Sequence, residues 1–323
     1  MTKILFTFFA CTFLVGAVNV SELKKKLEHV DVSSVQSEVG IGVLDLSSGE
    51  SWFLNGEQRF PMQSVCKVPV AIAILKLVDD GALSLGQSVT INPEQYAPSW
   101  SPLRDELKGG SGQFTVRNLL ERSVADSDNT AVDVLIELAG GAGKVDAILK
   151  AMGIRGVRVD RRERDLQTES QGLEDFRPEQ ASTEQFDAVL AQVPEEKKRA
   201  AVRKFLSDPR DTATPEGMVH LLSQLYQNKL LSPSSTQLLL QIMTDTPYGQ
   251  YRLKAGLPPK WSLAHKTGTG PDVLGVNTGT NDAGLACAPA GQCFALTVFI
   301  AGSKVPLQNR EALMRDVAAA VTK

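Results

Sequence analysis

The placement of strand-like segments at the two ends of the chain, with helical segments between them, limits this sequence to few architectures. Alternation of apolar and polar residues marks a strand at Val39–Leu46, and strand patterns return only at Trp261–Lys266, Ala283–Ala286 and Phe294–Ala301. Between them the spacing predicts helices over Val65–Asp80, Val116–Ala125, Thr130–Leu138 and Lys144–Met152. Thr214-Pro215 supplies an N-cap and a first-turn proline for a further helix through Tyr226, and a last helix is expected from Asn309. A sheet that shelters its apolar face must then draw strands from both termini. The expected fold is an α/β layer of about 18–60 and 215–323, with a helical part of about 61–214 inserted between its halves. No internal repeat is visible.

The chain has 323 residues, a net charge of −3 and 42% hydrophobic residues, enough for a large buried core and without the basic field that a nucleic-acid partner requires. Lys3 followed by the apolar run Ile4–Val18, with small residues at Val15 and Ala17, reads as a secretory signal peptide over residues 1–17. The run is short for a membrane span. The expected mature chain therefore starts near Val18, is periplasmic or secreted, and has no stable membrane association. Export draws attention to the cysteines left after cleavage. Cys287 and Cys293 flank a turn, Ala288-Pro289-Ala290-Gly291, between two strand-like runs, which leaves a disulfide between them open; Cys66 reads as a small buried hydrophobe. His29, His220 and His265 lack ligand-like spacing, so neither a metal nor another cofactor is expected.

Three short motifs carry the chemistry. Ser64-Val65-Cys66-Lys67 opens an apolar helix and places a hydroxyl and an amine on one face, where the amine can help to activate the weakly nucleophilic serine. Ser21–Lys24 has the same spacing, so this motif alone decides little. Ser127-Asp128-Asn129 stands between two helical stretches and taken singly reads as a helix cap. Lys266-Thr267-Gly268, with Thr269, follows a strand and offers an ammonium and two hydroxyls to a carboxylate. Their order, separated by 63 and then 139 residues, is far more restrictive than any of them.

In this order the motifs resemble those of class A β-lactamases and penicillin-binding proteins. The resemblance extends over nearly the whole mature chain, through Trp100-Ser101-Pro102-Leu103, Asp208-Pro209-Arg210-Asp211, Thr214-Pro215 and Thr280-Asn281-Asp282-Ala283-Gly284. It implies a monomeric hydrolase that opens β-lactam antibiotics through an acyl-enzyme on Ser64 and so confers resistance. Lys67 would share the proton network, and Ser127 would protonate the departing nitrogen. The amides of Ser64 and Thr269 would form the oxyanion hole, Asn129 would bind the side-chain amide, and Trp100 would wall the cleft. Lys266, Thr267, Gly268 and Thr269 would line the carboxylate site. The family adds an arginine to that site from one of two strands; the later position, near Leu274-Gly275, has none, and Arg252 matches the alternative.

The stretch Val159–Gln167 resembles the family's omega loop, in which Glu163 would position the deacylating water. Gln167 stands where asparagine is usual. A D-Ala-D-Ala peptidase, the other activity built on these motifs, is disfavoured by Glu163. Glu163 lies 48 residues before Asp211, whose pairing with Arg161 closes the loop in the family, and the usual interval is far shorter. A structureless excess of that size is uncommon in a compact domain. The segments Ser182–Leu190 and Pro194–Leu206 accordingly predict two short helices in an insertion of about 168–206, packed over or beside the mouth of the site.

Overall fold

The computed structural model describes residues 20–322, so the expected signal peptide at 1–17 lies outside the described residues. Five strands form an antiparallel sheet: β1 (Glu38–Asp45), β2 (Ser51–Leu54), β3 (Ser262–Thr269), β4 (Thr280–Cys287) and β5 (Cys293–Ala301), in the order β2-β1-β5-β4-β3. The N-terminal strand β1 pairs with β5 along its whole length, from Glu38 opposite Ala301 to Asp45 opposite Phe294. β5, with the sequence CFALTVFIA, is buried at every position, as its aromatic and β-branched content and its central place require.

The two faces of β1 carry different side chains. Val39, Ile41 and Val43 join Leu313, Met314 and Val317 of the closing helix Leu307–Thr322. On the opposite face Gly40 and Gly42 admit helix Pro215–Tyr226 so closely that a Cβ on Gly42 would stand 2.7 Å from Val219 and 2.9 Å from the Pro215 carbonyl. Thr214 caps that helix through the Gly217 amide, with Pro215 in its first turn.

The helical part surrounds helix Lys67–Asp79, whose residues from Lys67 to Leu75 are all buried. Helices Val116–Val124, Asn129–Leu138 and Ala142–Ala151 pack against it. The helix expected from Val65 begins instead at Lys67, because Gln63–Cys66 form a tighter 3₁₀ turn entered through Gln63 at φ 50°. The last helix starts two residues before Asn309, at Leu307, and the strand expected to end at Lys266 continues to Thr269, where it still pairs with Thr280.

Helices Thr183–Ala191 and Glu195–Ser207 occupy the long interval before Asp211. Acidic residues in the first turn of each, Glu184, then Glu195 and Glu196, with Lys204 in the last turn of the second, suit the helix dipoles. The insertion lies beside the cleft: its turn Pro178–Gln180 packs on the turn Pro93–Gln95, and helix Glu195–Ser207 reaches the hairpin strand Asp272–Val273. Cys287 and Cys293 face each other across the β4–β5 turn and are joined in a disulfide. Among the described residues Cys66 is the free cysteine, and it is buried.

Candidate active site

The helical part and the edge strand β3 face each other across Ser64. Gly268 makes the approach possible, since a Cβ there would come within 2.6 Å of the Met62 carbonyl and 3.3 Å of the Ser64 nitrogen. β3 is thereby brought against the turn that carries Ser64, with its outer edge, unpaired in the sheet, toward that turn.

Lys67 is the meeting point of the site. Its ammonium is fully buried and donates to Ser64 Oγ at 2.9 Å, the Ser127 carbonyl at 2.7 Å and Asn129 Oδ1 at 2.7 Å. It stands 3.4 Å from Ser127 Oγ and 3.5 Å from Glu163 Oε1. Three separate segments of chain therefore converge on one cation. Ser127 has a φ of 61°, an uncommon conformation for a residue with a side chain, and its hydroxyl accepts from Lys266 Nζ at 2.9 Å. Lys266 also donates to the Thr267 carbonyl at 3.0 Å. Burial, reinforced by the neighbouring Lys67 charge, brings the Lys266 ammonium down to about 7.

Glu163 opens helix Glu163–Glu169 and is buried between Lys67 and Gln167. Gln167 Nε2 donates to Glu163 Oε2 at 3.0 Å, bridging the i,i+4 spacing on one helix face. Its longer side chain thus keeps the amide against the carboxylate. Cys66 Sγ lies 3.8 Å from Glu163 Oε1; burial, with the adjacent carboxylate, pushes the thiol well above its ordinary range, so it is not a thiolate nucleophile.

Arg252 is buried beneath the far end of β3. Its Nη2 donates to Thr269 Oγ1 at 2.7 Å, its Nη1 to the carbonyls of Gly268 at 3.2 Å and Asn281 at 2.9 Å, and its Nε to Glu311 at 3.2 Å. Thr267, Thr269, Lys266 and Arg252 so form a basic, hydroxyl-lined end of the cleft. Trp100 is 53% exposed, anchored by its indole N–H to the Asp126 carbonyl at 2.9 Å, and meets Tyr248 edge-on at 6.2 Å. All twelve residues singled out in the sequence are gathered in this region.

The sequence profile of the β-lactamase enzyme family matches residues 22–323. β-Lactamase VEB-1 of Pseudomonas aeruginosa is 30% identical over 95% of this chain and 91% of its own length. The extended-spectrum β-lactamase PER-1 of the same organism is 29% identical over 92% and 85%. Among solved structures, an ancestral class A β-lactamase superposes with a TM-score of 0.73 at 30% identity, covering 94% of this chain and 98% of that one. A β-lactamase from Chitinophaga pinensis does so with 0.74 at 29%, covering 92% and 97%. The chain belongs to the class A β-lactamase family.

Several residues that shape this β-lactamase site escaped the sequence reading. Asp133, fully buried on helix Asn129–Leu138, accepts from the amides of Glu163 at 2.6 Å and Arg164 at 3.0 Å and so caps the glutamate helix. Burial, opposed by the Arg164 amide and aided by the Glu163 charge, raises its carboxyl to about 8. A signal was present: Asp133 is the one acidic residue in the apolar run Ala131–Ile136, four residues after Asn129 on the same helix face. Asn281 donates to the carbonyls of Pro61 and Met62 at 2.8 and 2.9 Å and ties the Ser64 turn to the sheet. His265, beside Lys266, turns away from the cleft to Asp282 Oδ1 at 2.7 Å, a local packing role. The expected closure of the omega loop is present, with Arg161 Nε 2.6 Å from Asp211 Oδ2. Groups of residues able to hold a metal ion are absent among the described residues.

Proposed function

We propose that this β-lactamase hydrolyses its substrates in two steps, acylation of Ser64 and deacylation by a water that Glu163 activates. The observation that carries the reading is the position of Lys67, in contact with Ser64 and Ser127 and 3.5 Å from Glu163. In acylation the Ser64 proton passes into the Lys67–Glu163 network as Oγ attacks the lactam carbonyl. The oxyanion is stabilised by the amides of Ser64 and Thr269, a contribution of about 3 kcal/mol per donor in such sites. The C–N bond then breaks and the nitrogen takes the Ser127 proton, which Lys67 replaces with the one released by Ser64, while Lys266 stays charged beside the Ser127 hydroxyl. Trp100 and Asn129 hold the acyl side chain, and Lys266, Thr267, Thr269 and Arg252 hold the carboxylate, with Gly268 giving β3 its close approach to Ser64.

In deacylation a water between Glu163, Gln167 and Ser64 loses its proton to Glu163 and attacks the ester; the C–Oγ bond breaks and Glu163 returns the proton through Lys67 to Ser64 Oγ. A D-Ala-D-Ala peptidase needs no such carboxylate, and the burial of Glu163 against Lys67 favours the hydrolase. The apolar leader at 1–17 supports secretion to the periplasm or beyond, and the Cys287–Cys293 disulfide agrees with an oxidising compartment. No helix among the described residues is long and apolar enough to cross a membrane. We take the mature chain of about 18–323 to be a single catalytic domain that acts as a monomer.

Glu163→Gln keeps size and hydrogen bonding while removing the base. Deacylation is expected to slow ~10²–10⁴-fold, so intact-protein mass spectrometry after mixing with benzylpenicillin shows an adduct on Ser64. Turnover at the parent rate would overturn the assignment of Glu163.

A further inference from the structure

The insertion contributes no group to the proposed reaction, yet two arginines, one buried and one half-buried, join it to the walls of the cleft. Arg104, on helix Pro102–Leu107, is 3% exposed. Its Nη1 donates to the carbonyls of Ala97 at 2.9 Å and Ser99 at 3.1 Å, and also to the carbonyl of Ala181 in the insertion. Its Nη2 lies 3.4 Å from Thr183 Oγ1, and Asp105 balances its charge at 2.7 Å. Ser99 has a φ of 66° immediately before Trp100, a conformation that persists only where the surroundings hold it. The same short segment binds Asn129: the Pro98 carbonyl accepts from its side-chain amide at 3.1 Å, and the Trp100 carbonyl from its backbone N–H at 3.0 Å.

Arg164, next to Glu163, repeats the arrangement. Its Nη2 donates to the carbonyls of Glu94, at 2.9 Å, and Tyr96. Its guanidinium lies 5.7 Å from the ring centre of Phe176, an insertion residue that rests edge-on against Phe186 at 6.2 Å. Each arginine therefore grips carbonyls in the segment 94–99 and an element of the insertion. Packing between these two parts is not continuous: a cavity of about 440 Å³, bordered by Tyr96, Arg104, Pro178 and Gln185, opens at the joint. Beside the direct packing of Pro178–Gln180 on Pro93–Gln95, the connection runs through the two guanidinium groups.

We propose that the insertion is a brace that sets the Trp100 wall and the glutamate helix, and thereby determines which acyl side chains the cleft accepts, with Arg104 and Arg164 as positioning residues. This rests on the reading of Ser64, Asn129 and Glu163 given above. A wall held at several carbonyls excludes bulk; once released, it yields to a branched side chain and fits a compact one less well.

The test measures kcat and KM for benzylpenicillin and for a cephalosporin with a bulky, branched acyl group, in the parent and in Phe176→Ala, Arg104→Gln and Arg104→Lys. Phe176→Ala and Arg104→Gln are expected to raise KM for benzylpenicillin. They shift the ratio of kcat/KM values toward the bulky substrate by about tenfold, the scale on which pocket fit discriminates between related substrates. Arg104→Lys, which keeps the charge and can still donate to a carbonyl, recovers part of the change. An unchanged ratio in folded Phe176→Ala, or an equal loss on both substrates, overturns the brace; if Arg104→Gln does not fold, Phe176→Ala decides alone. A parent protein inactive on both substrates would instead overturn the hydrolytic reading.

Discussion

Lys266 combines two demands that oppose each other. In the proposed carboxylate site it must be charged, yet it is fully buried and lies near Lys67, which together bring its ammonium to about 7. Below that pH it is protonated; as pH rises through it the free enzyme loses the charge. For a β-lactam bearing a carboxylate, kcat/KM is therefore expected to fall on the alkaline side of about 7. Arginine stays charged throughout this range, so Lys266→Arg should carry the fall to higher pH even though its absolute rate is lower. A pH profile of kcat/KM for the two proteins checks this, and superimposable alkaline limbs would remove Lys266 as their source. Asp133 shows the limit of reading single residues. Its acidity on an apolar helix was visible, but its partners, the amides of Glu163 and Arg164, lie 30 and 31 residues away and follow from how the helices dock.

Among the elements, those specified by neighbours in sequence were the most legible. Thr214-Pro215 marked a helix start, and the charge pattern of Glu195–Ser207 marked a helix within the insertion. The helix start near Ser64 was misplaced, because Gln63 is held in a left-handed conformation by the sheet and the loops around it. The Cys287–Cys293 bond depended on register: a shift of one residue would turn the two side chains to opposite faces, and full pairing of β4 with β5 sets them opposite each other. Because the bond closes a short loop, Cys287→Ser is expected to lower unfolding stability by about 2 kcal/mol. The turn lies at the end of β4 away from Thr280, which pairs with Thr269, so penicillin labelling of Ser64 should be unchanged. Denaturant unfolding beside a labelling assay measures both, and a loss of labelling in the folded variant would contradict this separation.

At the scale of the whole molecule the omega loop and its insertion are tied off by the Arg161–Asp211 pair, 50 residues apart in sequence and buried on both sides. Asp211 also accepts the amides of Asp160 at 2.7 Å and Arg161 at 3.0 Å, so one carboxylate fixes the start of the loop. Asp211→Ala takes one of three carboxylates from the buried Arg161, which keeps Glu169 and Asp208, and leaves the amides of Asp160 and Arg161 without this acceptor; it is expected to cost about 1–3 kcal/mol of stability. It should also slow deacylation more than acylation, since Glu163 lies within the released segment; burst kinetics separate the two steps, and equal slowing of both would mean that the pair serves stability alone. The groups of the proposed site were already legible in local sequence: a serine and a lysine three residues apart, a cap-like Ser-Asp-Asn, and a strand that runs through Lys-Thr-Gly. These are short-range patterns, and their order restricts the fold. Which atoms meet was settled by long-range packing, which brings Ser127 to Lys67 across 60 residues and to Lys266 across 139, Asp133 beneath Glu163, and the insertion against Arg104 and Arg164. Burial and register create those contacts, and both arise only when the sheet closes from its two ends around the helices between them.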